Sequence, residues 1–275
     1  VIEAPHLYDR PGSIYLGPDR RDWGDNPERF AGLCWMARRI AEEGVAGWKP
    51  DVLHCHDWQG GLAPEYLRSA GVAVGTVMTV HNIAFPGLAP PTRIGSLRLD
   101  PWRFHPGGYE YWGQISTLKA GLMAADRLTT VSPTYAEELM RPEFGMGFDG
   151  ILRERRAVLS GILNGIDEAA WNPATDPAIR PYDTPAGKDA NKAALRAELG
   201  LAPEAEGPLC VVVSRLTEQK GLDLLIEALP ALLDRGGSLR CWVRARDGWK
   251  RPFCGWRATG GWRSGSAMTK PCRTV

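Results

Sequence analysis

Short apolar runs alternating with segments of helical period predict an α/β chain: a parallel, doubly wound sheet followed by the beginning of a second domain of the same kind. Three observations carry this reading. "DVLHC", "GTVMTV" and "DRLTTV" are brief and apolar, as strands buried on both faces are. Between them lie stretches whose apolar residues recur every three to four positions. Residues 172–188, "NPATDPAIRPYDTPAGK", hold four prolines and no apolar period, which marks a linker. The expected divisions are therefore 1–171, the linker 172–188, and a second domain from 189 to 239.

Each element follows from its local pattern. "VIEAP" at the start is strand-like. "ERFAGLCWMARRIAEEG" sets Phe30, Leu33, Cys34, Ala37, Ile40 and Ala41 on one helical face. The strand "DVLHC" leads to a helix near 61–70, then to "GTVMTV", ending at His81. A loop rich in Pro and Gly (82–108) precedes a helix around 112–124 and the strand "DRLTTV". Ser132-Pro133 opens a further helix, with Ser as N-cap and Pro at its first position. "AVLSGIL" is the next strand, ending at Asn164-Gly165. After the linker come a helix (189–199), the strand "PLCVVVS" and a helix with Leu222, Leu225, Ile226, Leu229, Leu232 and Leu233 on one face.

With 275 residues, 44% of them apolar and 24% charged, the chain can bury a substantial core and is not of the disordered type. No run of 18 apolar residues spans a membrane. Six cysteines without a CxxC pair argue against a zinc ribbon or a thioredoxin-type site, and Cys34 and Cys210 read as buried thiols. The net charge of +1 hides a split: −7 over residues 1–239, +8 over 240–275. A basic tail could bind nucleic acid or anionic lipid. This one, "CWVRARDGWKRPFCGWRATGGWRSGSAMTKPCRTV" from Cys241, has four Trp, three Cys, almost no acid and no apolar period, the composition of GC-rich DNA read out of frame. In the frame starting on the third base, Met268-Thr269 must read as Asp, and permitted codons turn "AMTKPCRTV" into Tyr-Asp-Glu-Ala-Leu-Ser-His-Arg. Residues 240–275 are therefore expected to be a frameshift product, disordered and dispensable.

Polar residues at the carboxyl ends of parallel strands are where a ligand crevice in an open α/β sheet forms. Three such places stand out. In "DVLHCHDW", His54 and His56 share one face of the strand, while Cys55 and Asp57 share the other. Metal, structural packing and a sugar or nucleotide site are all open readings; a metal needs three or four converging ligands, and the chain has only five histidines. In "TVHNIAFPG", His81 and Asn82 leave a buried strand, where a hydrogen-bonded structural His is the plainer alternative. In "VVVSRLTEQKG", Arg215 and Lys220 precede a helix, and two cations beside helix N–H groups suit an anion such as phosphate; a solvated turn is equally compatible.

Together these stretches, with "EAPHLYDRPG", "GQISTLKAGLMAADRLTTVSPTYAEEL", "FGMGFDGIL" and "SGILNGIDEAAWNPATD", resemble bacterial glycogen synthases (starch synthases), the ADP-glucose-dependent glucosyltransferases, from Val1 to Gly237. The resemblance implies a two-domain GT-B fold of Rossmann-like domains facing a cleft, and transfer of glucose with retention to the non-reducing end of an α-1,4-glucan. It further implies no cofactor or metal, a cytoplasmic location, and neither nucleic acid nor membrane as partner. By matching motif, Arg215 and Lys220 would hold the diphosphate of ADP-glucose and stabilise charge on the departing ADP. His81 would contact the donor glucose, with Asn82 beside it. Asp57, Trp58 and Tyr8 would line the sugar and acceptor side, and Asn164 would lie near the reacting centre. His54 and His56 then read as structural. The family's Lys-x-Gly-Gly loop, its Glu-containing catalytic segment and its nucleotide-base pocket have no counterpart in these residues. The chain is therefore expected to be a fragment without activity of its own. Two alternatives stay open: a GT-B transferase using a UDP- or GDP-sugar, and a non-catalytic glucan-binding remnant.

Overall fold

A computed structural model describes residues 2–19, 21–201, 206–216 and 220–245. The chain divides into two compact units, Val1–Gly165 and Ile166–Val275. In this division the proline-rich stretch 172–188 lies inside the second unit.

The first unit runs α1 (Pro5–Tyr8), α2 (Asn26–Glu43), β1 (Val52–His56), α3 (Asp57–Gly60), α4 (Leu62–Ser69), β2 (Gly75–Val80), β3 (Leu88–Ala89), β4 (Glu110–Tyr111), β5 (Gln114–Ser116), α5 (Thr117–Ala124), β6 (Arg127–Thr130), α6 (Pro133–Leu139), α7 (Asp149–Glu154) and β7 (Leu159–Gly161). β1, β2, β6 and β7 form a sheet in that order, with every pair parallel. β3, β5 and β4 make a small antiparallel sheet.

Alternation along the strands decides where the core lies. Cys55, Met78, Val80 and Leu128 point to one face and are buried with Leu62, Tyr66, Leu118 and Leu122 of α4 and α5. The α3–α4 junction and α5 approach closely because two glycines permit it. A Cβ on Gly61 would fall 2.0 Å from the Thr117 carbonyl oxygen, and one on Gly121 would fall 2.9 Å from the Gly61 Cα. Beside this core, Glu65, 1% exposed, holds the Arg103 guanidinium in a fork, Nε to Oε1 at 2.6 Å and Nη2 to Oε2 at 2.9 Å.

The second unit contains α8 (Lys188–Glu198), β8 (Leu209–Leu216), α9 (Leu222–Asp234) and β9 (Ser238–Ala245), with β8 and β9 parallel over eight residue pairs. Arg196 of α8 is buried and ties the helix to both strands' starts through the Ser238 hydroxyl (3.1 Å) and the Gly207 carbonyl (2.8 Å). Leu222 and Leu229 are the buried members of the α9 face.

Several expectations are corrected. Residues 2–4 form no strand, and the chain is helical from Pro5. The helix expected from about 112 begins only at Thr117, because Glu110–Ser116 is a hairpin turning at Trp112-Gly113, both with positive φ (51° and 77°). Ala157 and Val158 belong to a 3₁₀ turn before β7. Leu33 is exposed, since the buried face of α2 is centred on Ala31, Cys34 and Ala41. Cys210 is only half-buried, on a two-stranded sheet. The tail expected to be disordered from 240 is a strand as far as Ala245. In "SLRCWVRA", Leu239, Cys241, Val243 and Ala245 alternate with polar or bulky neighbours, a period of two that a boundary at 240 cuts in half. Residues 246–275 lie outside the described residues, and the expectation of disorder there with them.

Candidate functional site

The carboxyl ends of β1 and β2 lie side by side, with His56 in register with Thr79. After His56 the strand stops abruptly, because Asp57 adopts φ 48°, the left-handed region that non-glycine residues rarely occupy and that Asp tolerates better than most. That turn starts α3 and aims the carboxylate across to the end of β2. There Asp57 Oδ1 accepts the backbone N–H groups of His81 at 2.7 Å and Asn82 at 3.3 Å. Strain of this kind persists only where the surroundings over-determine it, and such places cluster at ligand sites.

The loop leaving β2 is pinned at several further points. Asn82 Oδ1 accepts the Ala84 N–H at 3.0 Å, and the Ile83 N–H donates to the Tyr135 hydroxyl at 3.2 Å. The Pro86 carbonyl takes the Ser116 hydroxyl at 2.7 Å and the Leu118 N–H at 3.2 Å. Ser116 also caps α5 by accepting the Lys119 N–H. Gly87, at φ 63°, has to be glycine: a Cβ there would sit 2.2 Å from the Thr117 hydroxyl oxygen and 2.7 Å from the Trp58 Cβ. The same Thr117 hydroxyl donates to the Trp58 carbonyl at 2.8 Å, and the Trp58 ring meets Phe30 edge-on at 4.8 Å. Trp58 is thus held from both sides and is half-buried.

Three imidazoles line the adjoining sheet face. His56 Nδ1 lies 3.0 Å from His81 Nε2, and the His54 and His56 rings are 4.3 Å apart. His54 Nε2 meets the Thr79 hydroxyl at 2.6 Å, which meets the Thr129 hydroxyl at 2.5 Å, giving a polar ribbon across β1, β2 and β6. An N···N hydrogen bond needs one donor and one acceptor, so His56 and His81 cannot both be imidazolium in this geometry. Accordingly the His56 pKa lies below the ordinary value. Burial is the chief cause; the nearby His54 and His81 charges add to it, and Asp57 opposes it. Below the sheet the thiols of Cys34 and Cys55 are pushed up to about 12 by burial and are protonated at neutral pH.

Of the residues singled out from sequence, the fold brings Asp57, His81 and Asn82 into direct contact and sets Trp58 next in chain. Tyr8 is placed differently: its hydroxyl donates to the Arg29 carbonyl at 2.8 Å and it packs on α2. Asn164 is exposed on the segment after β7. Arg215 and Lys220 belong to the second unit. Arg215 pairs in register with Arg244, and the exposed Lys220 precedes Gly221, whose φ of 60° turns the chain into α9. Sequence reasoning missed Thr79, Thr117, Thr129 and Tyr135, all of which act through hydrogen bonds between segments distant in sequence. Among the described residues, no group of three or more His, Cys, Asp or Glu side chains is arranged to hold a metal ion. Nor is any described helix long and apolar enough to cross a membrane.

Comparison with known proteins gives a consistent result. Residues 1–154 match the model of the family described as "Starch synthase catalytic domain". The chain is 63% identical over 240 residues to a glycogen synthase of Paracoccus denitrificans, covering 87% of this chain and 50% of that protein. It is 57% identical over 239 residues to a glycogen synthase of Jannaschia sp., with the same 87% and 50% coverage. Among solved structures it resembles the catalytic domain of Starch Synthase IV from Arabidopsis thaliana bound to ADP and acarbose, at TM-score 0.72 and 32% identity over 85% of this chain and 50% of that one. The chain thus spans about half the length of the curated relatives it matches, and its α/β architecture is of the GT-B type.

Proposed function

The chain belongs to the starch synthase catalytic-domain family, and from that premise we propose that the protein of which it forms part transfers glucose from ADP-glucose to the non-reducing end of an α-1,4-glucan, in the cytoplasm and without a metal cofactor. The observation that carries the reading is the Asp57 carboxylate, turned by a left-handed backbone onto the amides that position His81 and Asn82. One oxygen, Oδ1, orders the loop; we assign the other, Oδ2, to a sugar hydroxyl. The His81 imidazole, steadied by His56, is the group we assign to the donor glucose. The half-buried Trp58 supplies an apolar wall on the acceptor side, and Tyr8 and Asn164 are assigned to the same cleft at its margins.

The chemistry asked of the protein is modest and electrostatic. The bond from glucose C1 to the diphosphate oxygen breaks, a bond from C1 to the acceptor 4-oxygen forms with retention, and the acceptor's hydroxyl proton passes to the departing diphosphate. Negative charge grows on that diphosphate. Arg215 and Lys220, beside the start of α9, are the cations we assign to it; a guanidinium grips two oxygens and helix N–H groups add to the field. The test is steady-state kinetics of the full-length protein. Arg215→Ala and Lys220→Ala should each lower kcat by roughly 10²–10³, the loss seen on removing one donor from such a site. Silent Arg215 and Lys220 variants, together with a His54→Ala variant that loses turnover at unchanged melting temperature, would overturn this assignment.

A further inference from the structure

The chain has five asparagines, and one of them, Asn164, is followed by glycine. An asparagine side-chain amide is open to attack by the backbone nitrogen of the next residue. The reaction is fastest where that residue has no side chain and the segment is free to close the ring. Asn164-Gly165 meets both conditions. The last tie before it is the Ile162 N–H on the Thr130 carbonyl at 2.8 Å. The next tie after it is Asp167, whose Oδ1 accepts the Ala169 and Ala170 N–H groups at 3.0 Å. Between them, no hydrogen bond to a described residue holds Leu163, Asn164, Gly165 or Ile166. All four are exposed, so base from solvent reaches the Gly165 N–H.

The other four asparagines are blocked, each for a visible reason. Asn26 and Asn172 precede prolines, whose nitrogen carries no hydrogen to lose. Asn82 Oδ1 accepts the Ala84 N–H, and the nitrogen that would attack it, on β-branched Ile83, donates to the Tyr135 hydroxyl. Asn191 lies in α8 with its amide bonded both ways to the Arg180 backbone, at 2.9 Å each.

We propose that Asn164-Gly165 is a self-modification site and, resting on the transfer reading above, that its conversion switches transfer off. Base removes the Gly165 N–H proton, and the nitrogen attacks Asn164 Cγ. A C–N bond forms, the bond from Cγ to the side-chain nitrogen breaks, and ammonia leaves after taking up a proton. Water then opens the cyclic imide. Cleavage at Cγ gives aspartate; cleavage at the former backbone carbonyl gives isoaspartate, with an extra carbon in the main chain. Either product puts a carboxylate where a neutral amide stood. Asn164 is assigned to the margin of a cleft that takes an anionic diphosphate, and like charges there oppose binding.

The test is to age the full-length protein at mildly alkaline pH and follow it in parallel by peptide mass spectrometry and by glucose transfer, with isoaspartate labelled by a methyltransferase specific for it. Asn164 should convert to a mixture of aspartate and isoaspartate, faster at higher pH, while the other four asparagines stay intact. Transfer should fall in step, and Asn164→Asp should start at the reduced rate. Gly165→Ala meets no clash, since nothing lies within 4 Å of a Cβ there. It should slow both the conversion and the loss of transfer on the order of tenfold. An unconverted Asn164, or earlier conversion at any of the other four, would overturn the site. Full conversion with transfer unchanged would overturn the switch. If the fresh protein transfers no glucose, the transfer reading falls and the switch with it, while the mass readout still decides the site.

Discussion

Replacing Asp57 separates its two jobs, and the structure sets the size of each. In Asp57→Ala the His81 and Asn82 amides lose their carboxylate acceptor and a residue poorly suited to φ 48° takes its place. A charge-assisted hydrogen bond contributes about 1.5–3 kcal/mol net. Here the 2.7 Å contact dominates, the 3.3 Å contact adds little, and water can replace part of the loss because His81 is exposed. Asp outperforms Ala in the left-handed region by a fraction of the ~1–2 kcal/mol penalty. The sum is a local destabilisation of about 2–3 kcal/mol. Asp57→Asn tolerates the same backbone and keeps a neutral acceptor, so its cost should be about 1 kcal/mol. Hydrogen exchange of peptides covering residues 78–84 reads the difference directly, since each 1.4 kcal/mol is a tenfold change in opening. Exchange there should rise by roughly 30-fold or more in the Ala variant and about fivefold in the Asn variant. Equal exchange in Asp57→Ala and wild type would refute the claim that this carboxylate orders the loop.

Other perturbations have equally definite outcomes. His56 is depressed by burial and by its histidine neighbours, so its contribution to stability is full above the ordinary value of 6.5 and is lost as pH falls from there through the lower folded value. His56→Asn should flatten the acid side of the pH–stability curve in that window; an unchanged curve would contradict the His56–His81 geometry. Gly87→Ala combines a left-handed backbone with a clash against Thr117 and Trp58, and a loss of about 2–4 kcal/mol is expected in urea unfolding of the first unit. Arg103→Ala leaves Glu65 buried and unpaired, for about 3–5 kcal/mol, whereas the paired change Glu65→Leu with Arg103→Met should cost far less; equal losses would count against a desolvated pair. We also propose a one-base shift in the DNA near codons 238–242. Resequencing that finds the frame unbroken through codon 275 would remove the proposal.

Strand ends were the most legible part of the chain. Alternation in "DVLHCHDW" put His54 and His56 on one face, and their rings lie 4.3 Å apart. The contact of Asp57 with the loop at His81 was not readable, because it depends on a left-handed turn at a residue whose sequence signal is ambiguous. Tyr8 stood out by its motif, but its placement depends on the Arg29 carbonyl, a backbone atom no side-chain pattern announces. The hairpin at 110–116 is hidden under a helix expected from about 112, because a Trp-Gly turn lacks the Asn or Asp that usually marks such a tip. β9 was missed because a compositional argument about the tail outweighed an eight-residue alternation that crosses its boundary.

Transfer itself is the most direct measurement. The full-length protein, given glycogen and radiolabelled ADP-, UDP- or GDP-glucose in parallel, should incorporate label from ADP-glucose far faster than from the other two. Incorporation from UDP- or GDP-glucose at a higher rate, or none from ADP-glucose, would contradict the proposed activity.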